Sequence, residues 1–153
     1  MQAKKFYYKG DQVTYGELVK LTNIPERLLL RNVLPENVQN ECELLISTKI
    51  VIHGTTYKND TPILLRNDDE MFPKFGLVKT IYTYNNLKIL IITEYDTIKF
   101  NPKLNSYLIQ KPLSSSIVAK RVQDLIFSHP LSIFMISREL YVPLINHEQV
   151  EFA

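Results

Sequence analysis

The residues able to do chemistry are few and scattered. Histidine occurs at His53, His129 and His147, and cysteine only at Cys42. None stands at CxxC, HxxxH or HxH spacing, so no zinc ligand set is spelled out. Cys42 lies in an apolar, strand-like run, a setting in which thiols are usually buried and inert. Ser114-Ser115-Ser116 lacks the Gly-x-Ser-x-Gly turn that exposes a nucleophilic serine. Gly10, Gly16, Gly54 and Gly76 complete neither GxGxxG nor GxxxxGK[ST], so no phosphate cradle is present.

Two constellations remain. Asp68, Asp69 and Glu70, with Glu94, Asp96 and Lys99, have the composition of a Mg²⁺-dependent nuclease site. They complete no motif of known mechanism, and acidic loops are commonly just solvated. The second constellation is aromatic and basic. Tyr57, Phe72, Phe75, Tyr82, Tyr84, Tyr95, Phe100 and Tyr107 are of the type that stacks bases or cages a methylated lysine on a β surface. Lys79, Lys88, Lys99, Lys103, Lys111, Lys120 and Arg121 are the cations for a phosphate-facing stripe. The plainer reading of the same residues is a β core with a lysine-bearing rim. The positions singled out as a binding surface are Tyr82, Tyr84, Tyr95, Lys79, Lys88, Lys120 and Arg121. No residue is assigned a catalytic or metal-binding role, and no cofactor is expected.

The totals neither demand nor exclude a phosphate partner. Net charge is +2 and the pI is near 8.6, short of the strongly basic balance of dedicated nucleic-acid binders. The excess falls in residues 76–153, residues 1–75 being neutral by count. One cysteine permits no internal disulfide, which favours an intracellular setting. The start of the chain lacks the apolar run of a signal peptide, and no window has the length of a membrane span. Asn59-Asp60-Thr61 is read as a chance glycosylation sequon. At 153 residues, the chain is long enough to bury roughly two-thirds of its unfolded surface without a staple.

These groups must be positioned by strands. Phe75–Tyr84 and Leu87–Asp96 are β-branched and aromatic runs on either side of Asn85-Asn86, a pair that tolerates the positive φ of a two-residue turn. That turn sets Tyr84 opposite Leu87, Tyr82 opposite Ile89, Thr80 opposite Ile91 and Val78 opposite Thr93. The other face carries Leu77, Lys79, Ile81 and Thr83. Both faces are apolar enough to meet protein, which places the hairpin inside a curled sheet.

Around it, Phe6–Tyr8 and Gln12–Tyr15 read as a short hairpin, or as an edge strand followed by a turn. Asn23 reads as a helix cap, with Pro25 in the first turn and Glu26 at the capping-box position of a short helix over Arg27–Asn32. Glu41–Ile52 reads as one strand, Thr55–Tyr57 as its return arm, and Pro62–Leu65 as an edge strand. Further strands follow at Asn105–Gln110, Ser115–Ala119, Leu131–Ile136 and Leu140–Ile145. Val122–Ile126 reads as one helical turn or an irregular edge. Eight to ten short strands with frequent turns predict a mainly β, antiparallel, partly open small barrel, SH3-like or related, with one short N-terminal helix. A single domain is expected over 1–153: a core at about 45–145, an N-terminal extension over 1–44, and a frayed tail over 146–153.

Phe75-Gly76-Leu77-Val78-Lys79-Thr80-Ile81, Leu104-Asn105-Ser106-Tyr107, His129-Pro130-Leu131 and Tyr141-Val142-Pro143-Leu144 occur in an order that resembles the β-rich C-terminal domain of uncharacterised, transposon-derived animal proteins. A looser similarity is to bromo-adjacent homology (BAH) domains, barrel-centred chromatin modules. There the usual Gly-Asp is Asn59-Asp60 here, and the Trp-Phe-Tyr run is Ile91-Ile92-Thr93-Glu94-Tyr95, so no ligand-binding residue is carried over. The resemblance implies a β-barrel accessory module without a catalytic role, with the nucleus as one option for its setting. The expected function is a non-catalytic module engaging protein or chromatin. The alternatives are a nucleic-acid-binding β domain and, last, a Mg²⁺-dependent nuclease.

Overall fold

A computed structural model of the chain describes residues 5–8, 11–14, 16–67, 71–126 and 130–143. Tyr15, Asp68, Asp69, Glu70, His129, Leu144, Ile145, His147 and the tail over 146–153 lie outside the described residues. With 54% strand and 9% helix, the fold is mainly β, and its sheet is a curled antiparallel half-barrel. The chain order is β1 (Lys5–Tyr8), β2 (Asp11–Thr14), β3 (Glu17–Lys20), a 3-10 turn (Leu21–Asn23) and α1 (Arg27–Arg31). Then follow β4 (Glu43–Ser47), β5 (Lys49–Ile52), β6 (Thr55–Lys58), β7 (Pro62–Arg66), β8 (Lys74–Tyr84), β9 (Leu87–Asn101), β10 (Ser106–Gln110) and β11 (Ile117–Arg121). A second 3-10 turn (Val122–Asp124), β12 (Phe134–Ile136) and β13 (Glu139–Pro143) complete it.

The β8–β9 hairpin is the spine. Asn85 takes φ 53° in its two-residue turn, and Tyr84, Tyr82 and Thr80 face Leu87, Ile89 and Ile91 as the spacing requires. Beyond Thr80 the register shifts by one residue: Val78 faces Ile92, and Leu77 faces Thr93. Lys79 is the extra residue of a β-bulge, and everything beyond a bulge changes face. Val78 therefore joins Ile81, Leu90 and Ile92 in one apolar cluster, not Tyr82 and Thr80 on the other face. At this point no strand pairs with the side of β8 away from β9 among the described residues. Val78 instead accepts from the Asp60 N–H at 2.7 Å and donates to the Thr61 carbonyl at 3.0 Å.

Each long arm is then shared between two neighbours. Beyond β8, β4 pairs with Ile81–Thr83, and β7 pairs with the stretch from Lys74 to Leu77. Beyond β9, β11 pairs with Ile89–Thr93, and β10 pairs from Asp96 to Asn101. β9 thus runs well past Asp96, because β10 supplies main-chain partners as far as Asn101. The run over 41–52 is not one strand. It breaks at Thr48, and β4 enters the large sheet while β5 enters a separate four-stranded sheet, β1-β2-β5-β6. That sheet lays Ile50 and Tyr57 over Ile81 and Leu90. On the opposite face, Leu21, Ile24, Leu30 and Leu34 cover Tyr82, Ile89 and Ile91. The stretch read as an N-terminal extension is therefore part of the core from Leu21 onward.

The helix spans Arg27–Arg31, but Asn23 does not cap it: Asn23 ends the preceding 3-10 turn, Pro25 lies before the N-cap, and the capping box does not form. Glu26 is the N-cap and makes no side-chain cap bond. The residue is 8% exposed, and its carboxylate accepts from the Tyr82 hydroxyl at 3.2 Å. A buried carboxylate gains more from that partner than from a helix end open to water.

In the lower half of the spine, β7, β8, β9, β10, β13 and β12 follow one another as neighbours. The segment leading into β12 returns to the first of them, where the Leu131 N–H donates to the Pro62 carbonyl at 3.1 Å. The sheet curls round on itself with Leu64, Phe75, Ile109 and Val142 at its centre. Gly76 allows the tight curl. A Cβ there would lie 2.4 Å from Ile92 Cγ2 and 2.8 Å from the Thr93 carbonyl oxygen, closer than atoms can pack.

Candidate functional site

The two ends of the curl differ. At one end, Tyr107 meets Phe72, Phe75 and Phe100 at ring-centroid distances of 6.0, 6.0 and 5.2 Å. Tilted and edge-on contacts of this kind hold aromatic rings together beyond simple burial. They plug that end with apolar surface.

The other end is open. It holds a cleft of about 310 Å³, lined by Tyr95, Leu108, Ile109, Leu140 and the polar residues Gln110, Lys111, Arg138 and Glu139. The lining comes from three adjacent strands. Tyr95 is on β9, Ile109 and Gln110 end β10, and Arg138 turns the chain into β13. Ile109 stands opposite Thr97 and Leu140 in neighbouring ladders, so the floor is apolar. Ser137 and Arg138 both have positive φ, 51° and 68°, the geometry of a two-residue turn that follows sheet twist.

The rim is unevenly charged. Glu139 accepts from the Tyr141 hydroxyl at 3.4 Å. Neither Lys111 nor Arg138 has an ion-pair partner among the described residues. Burial, with the nearby charge of Asp60 second, raises the Tyr95 phenol above its ordinary pKa. The phenol therefore stays a neutral donor throughout the working pH range. A small apolar cleft with a few convergent polar groups is the usual form of a recognition site. A second cleft, near α1, holds about 140 Å³ and is too small for a ligand of that kind.

The structure separates the other residues singled out by the sequence. Tyr82 is 3% exposed and Lys88 5%. Tyr82 faces Glu26, and the Lys88 ammonium is 3.3 Å from the Asn86 carbonyl. Tyr84, at the turn of the spine, packs with the cluster covered by α1. The Lys79 ammonium lies 3.8 Å from Glu26. The Arg121 guanidinium bonds Asp124 at 2.7 Å. Lys120 is exposed on β11. Of the seven, only Tyr95 reaches the cleft. Arg138 and Glu139 were missed because they read simply as a turn. Lys111 appears only in the wider list of cations.

The acidic constellation is organised around a lysine. Lys74 reaches Glu94 at 3.0 Å and Asp96 at 3.9 Å, and the Ser116 hydroxyl donates to Glu94 at 2.9 Å. No group of three or more His, Cys, Asp or Glu stands close enough to hold a metal ion among the described residues. Burial pushes the Glu94 carboxyl up. The hydrogen bonds from Lys74 and Ser116, with the charges of Lys74 and Lys120, outweigh it and hold the pKa below the usual range. A carboxyl whose folded pKa is depressed stabilises the fold above its unfolded pKa. That contribution is lost as pH falls through the folded value. Glu94→Gln should therefore be less stable than wild type at pH 7. The gap should close as pH drops below the ordinary glutamate value, as urea midpoints measured from pH 7 to about 3 would show.

No family model matches the chain, no curated protein matches it, and no solved structure matches it. The two resemblances drawn from its sequence rest on their motif residues alone. Among the described residues, no helix is long and apolar enough to cross a membrane.

Proposed function

We propose that the protein is a non-catalytic binding module that receives an acidic segment of a protein partner at the open end of the curl. The observation that carries this is the pairing of an apolar floor with two cations, Lys111 and Arg138, that have no ion-pair partner among the described residues. Unpaired cations beside low-dielectric surface attract a carboxylate more strongly than cations in open water, and they set which ligands enter. The nucleic-acid reading has less support. Lys79 and Arg121 already lean on carboxylates, and Lys88 is buried. That takes three of the seven cations out of a stripe that would track a phosphate backbone.

The test uses a fluorescein-labelled, amidated peptide, Asp-Glu-Val-Thr-Val-Thr-Val, beside single-stranded and duplex DNA 20-mers. Anisotropy should show saturable peptide binding with Kd on the order of 10 µM, about −7 kcal/mol. Neither DNA should bind at physiological salt. Tight DNA binding with a steep salt dependence, and none to the peptide, would reverse the assignment.

A further inference from the structure

β12 is the last strand of the large sheet and pairs only with β13 among the described residues. The two-residue turn at Ser137-Arg138 determines which of its main-chain groups are free. In such a hairpin the flanking pair, Ile136 and Glu139, exchanges both hydrogen bonds, and the next pair, Met135 and Leu140, exchanges none. The N–H and C=O of Met135 therefore point away from β13, toward the outer edge. That edge is apolar. Met135 is 63% exposed and Ile136 43%. Phe134-Met135-Ile136 carries none of the charges, prolines or bulges that usually guard a sheet edge. The strand is also held in place. Phe134 stacks on Tyr141 at 5.4 Å with 16° between the rings, and Leu131 is tied to Pro62 upstream.

We propose that β12 is the docking edge for the partner segment, which adds to it as an antiparallel strand while its acidic end lies against Arg138 and Lys111. This rests on the binding-module reading and specifies how the ligand is held. Strand addition gives affinity through main-chain bonds and leaves side chains to choose the sequence. A three-residue edge falls far short of the roughly 800 Å² per partner of a stable interface between folded proteins. An extended peptide fits it better than a second copy of this chain. The charge fixes the direction. Arg138 follows the C-terminal end of β12, so in an antiparallel pairing it meets the N-terminal end of the peptide. The ligand class is an extended segment with acidic residues first and alternating β-branched residues after them.

The same peptide tests this on the intact, isotope-labelled protein. Bound peptide should slow amide exchange at Met135 by about tenfold or more. N-methylation of the peptide's central valine, or reversal of its sequence, should weaken binding by about tenfold, the scale of one or two main-chain hydrogen bonds. Met135→Pro removes the outward N–H without touching a bond to β13, and should weaken binding similarly. The modified peptides use wild-type protein, so the result does not hang on that variant folding. Binding that is indifferent to N-methylation and sequence direction, with Met135 exchange unchanged, would overturn strand addition and leave the module reading standing. Absence of any binding would overturn both. Met135 protected without peptide, in a dimer that forms with concentration, would assign the edge to self-association and overturn the proposal.

Discussion

Phe75→Ala should cost about 3–5 kcal/mol of stability, the usual range for emptying a buried phenylalanine site. Phe75 is fully buried at the centre of the curl, with Leu64, Ile109 and Val142 around it. It also supports Tyr107 from within. Collapse around the void is restricted, because these neighbours belong to three different strands, β7, β10 and β13, whose ladders fix their spacing. For a chain of this size each kcal/mol moves the melting temperature by about 2–4 °C, so a fall of roughly 6–20 °C is expected. Hydrogen exchange should rise first in β10 and β13, which reach the spine only through β9, and later in β11, which pairs with the other half of that strand. A loss below about 1 kcal/mol, or exchange rising uniformly, would mean that the curl is not a distinct packing unit.

The second large effect is on binding. Lys111→Glu together with Arg138→Glu should weaken the acidic peptide by roughly 30-fold or more, because each change replaces an attraction with a repulsion at the same rim. Both side chains are exposed, and neither has an ion partner to lose among the described residues. Stability should therefore stay within about 0.5 kcal/mol of wild type. Arg138 already sits at positive φ, and glutamate tolerates that region about as poorly as arginine does. Lys120→Glu is the control: a cation on β11, away from the open end, whose reversal should change peptide affinity little.

The spine was legible because two period-2 runs meet at Asn85-Asn86, and the turn sets the register locally. The bulge at Lys79 was not legible, since a lysine between Val78 and Thr80 keeps the alternation of an unbroken strand. What decides it is Val78 finding Asp60 and Thr61, a contact outside the hairpin. The break at Thr48 was hidden for a similar reason: the run from Glu43 to Ile52 is continuously strand-forming, and only the presence of two sheets divides it. The helix itself is local, at Arg27–Arg31 against the expected Arg27–Asn32, but its N-cap is Glu26 and not Asn23. The role of Glu26 depends on Tyr82, 56 residues further on. The open end follows the same rule. Tyr95 and Lys111 stood among many aromatic and basic candidates. They converge with Arg138 only because β9, β10 and β13 are neighbours, which is a property of topology and not of any local pattern. Of the seven residues proposed as a surface from residue type alone, Tyr82 and Lys88 are taken inside by the two-sided burial of the spine.

A charge swap tests the recognition site most directly. The Lys111→Glu, Arg138→Glu protein is titrated with the peptide in which both acidic residues are replaced by lysine, beside the wild-type pairings. Recovery of most of the lost affinity in the swapped pair, with both mismatched pairs weak, is the predicted result. Equal affinity in all four pairings, or a loss that the lysine peptide does not restore, would contradict recognition at the open end of the curl.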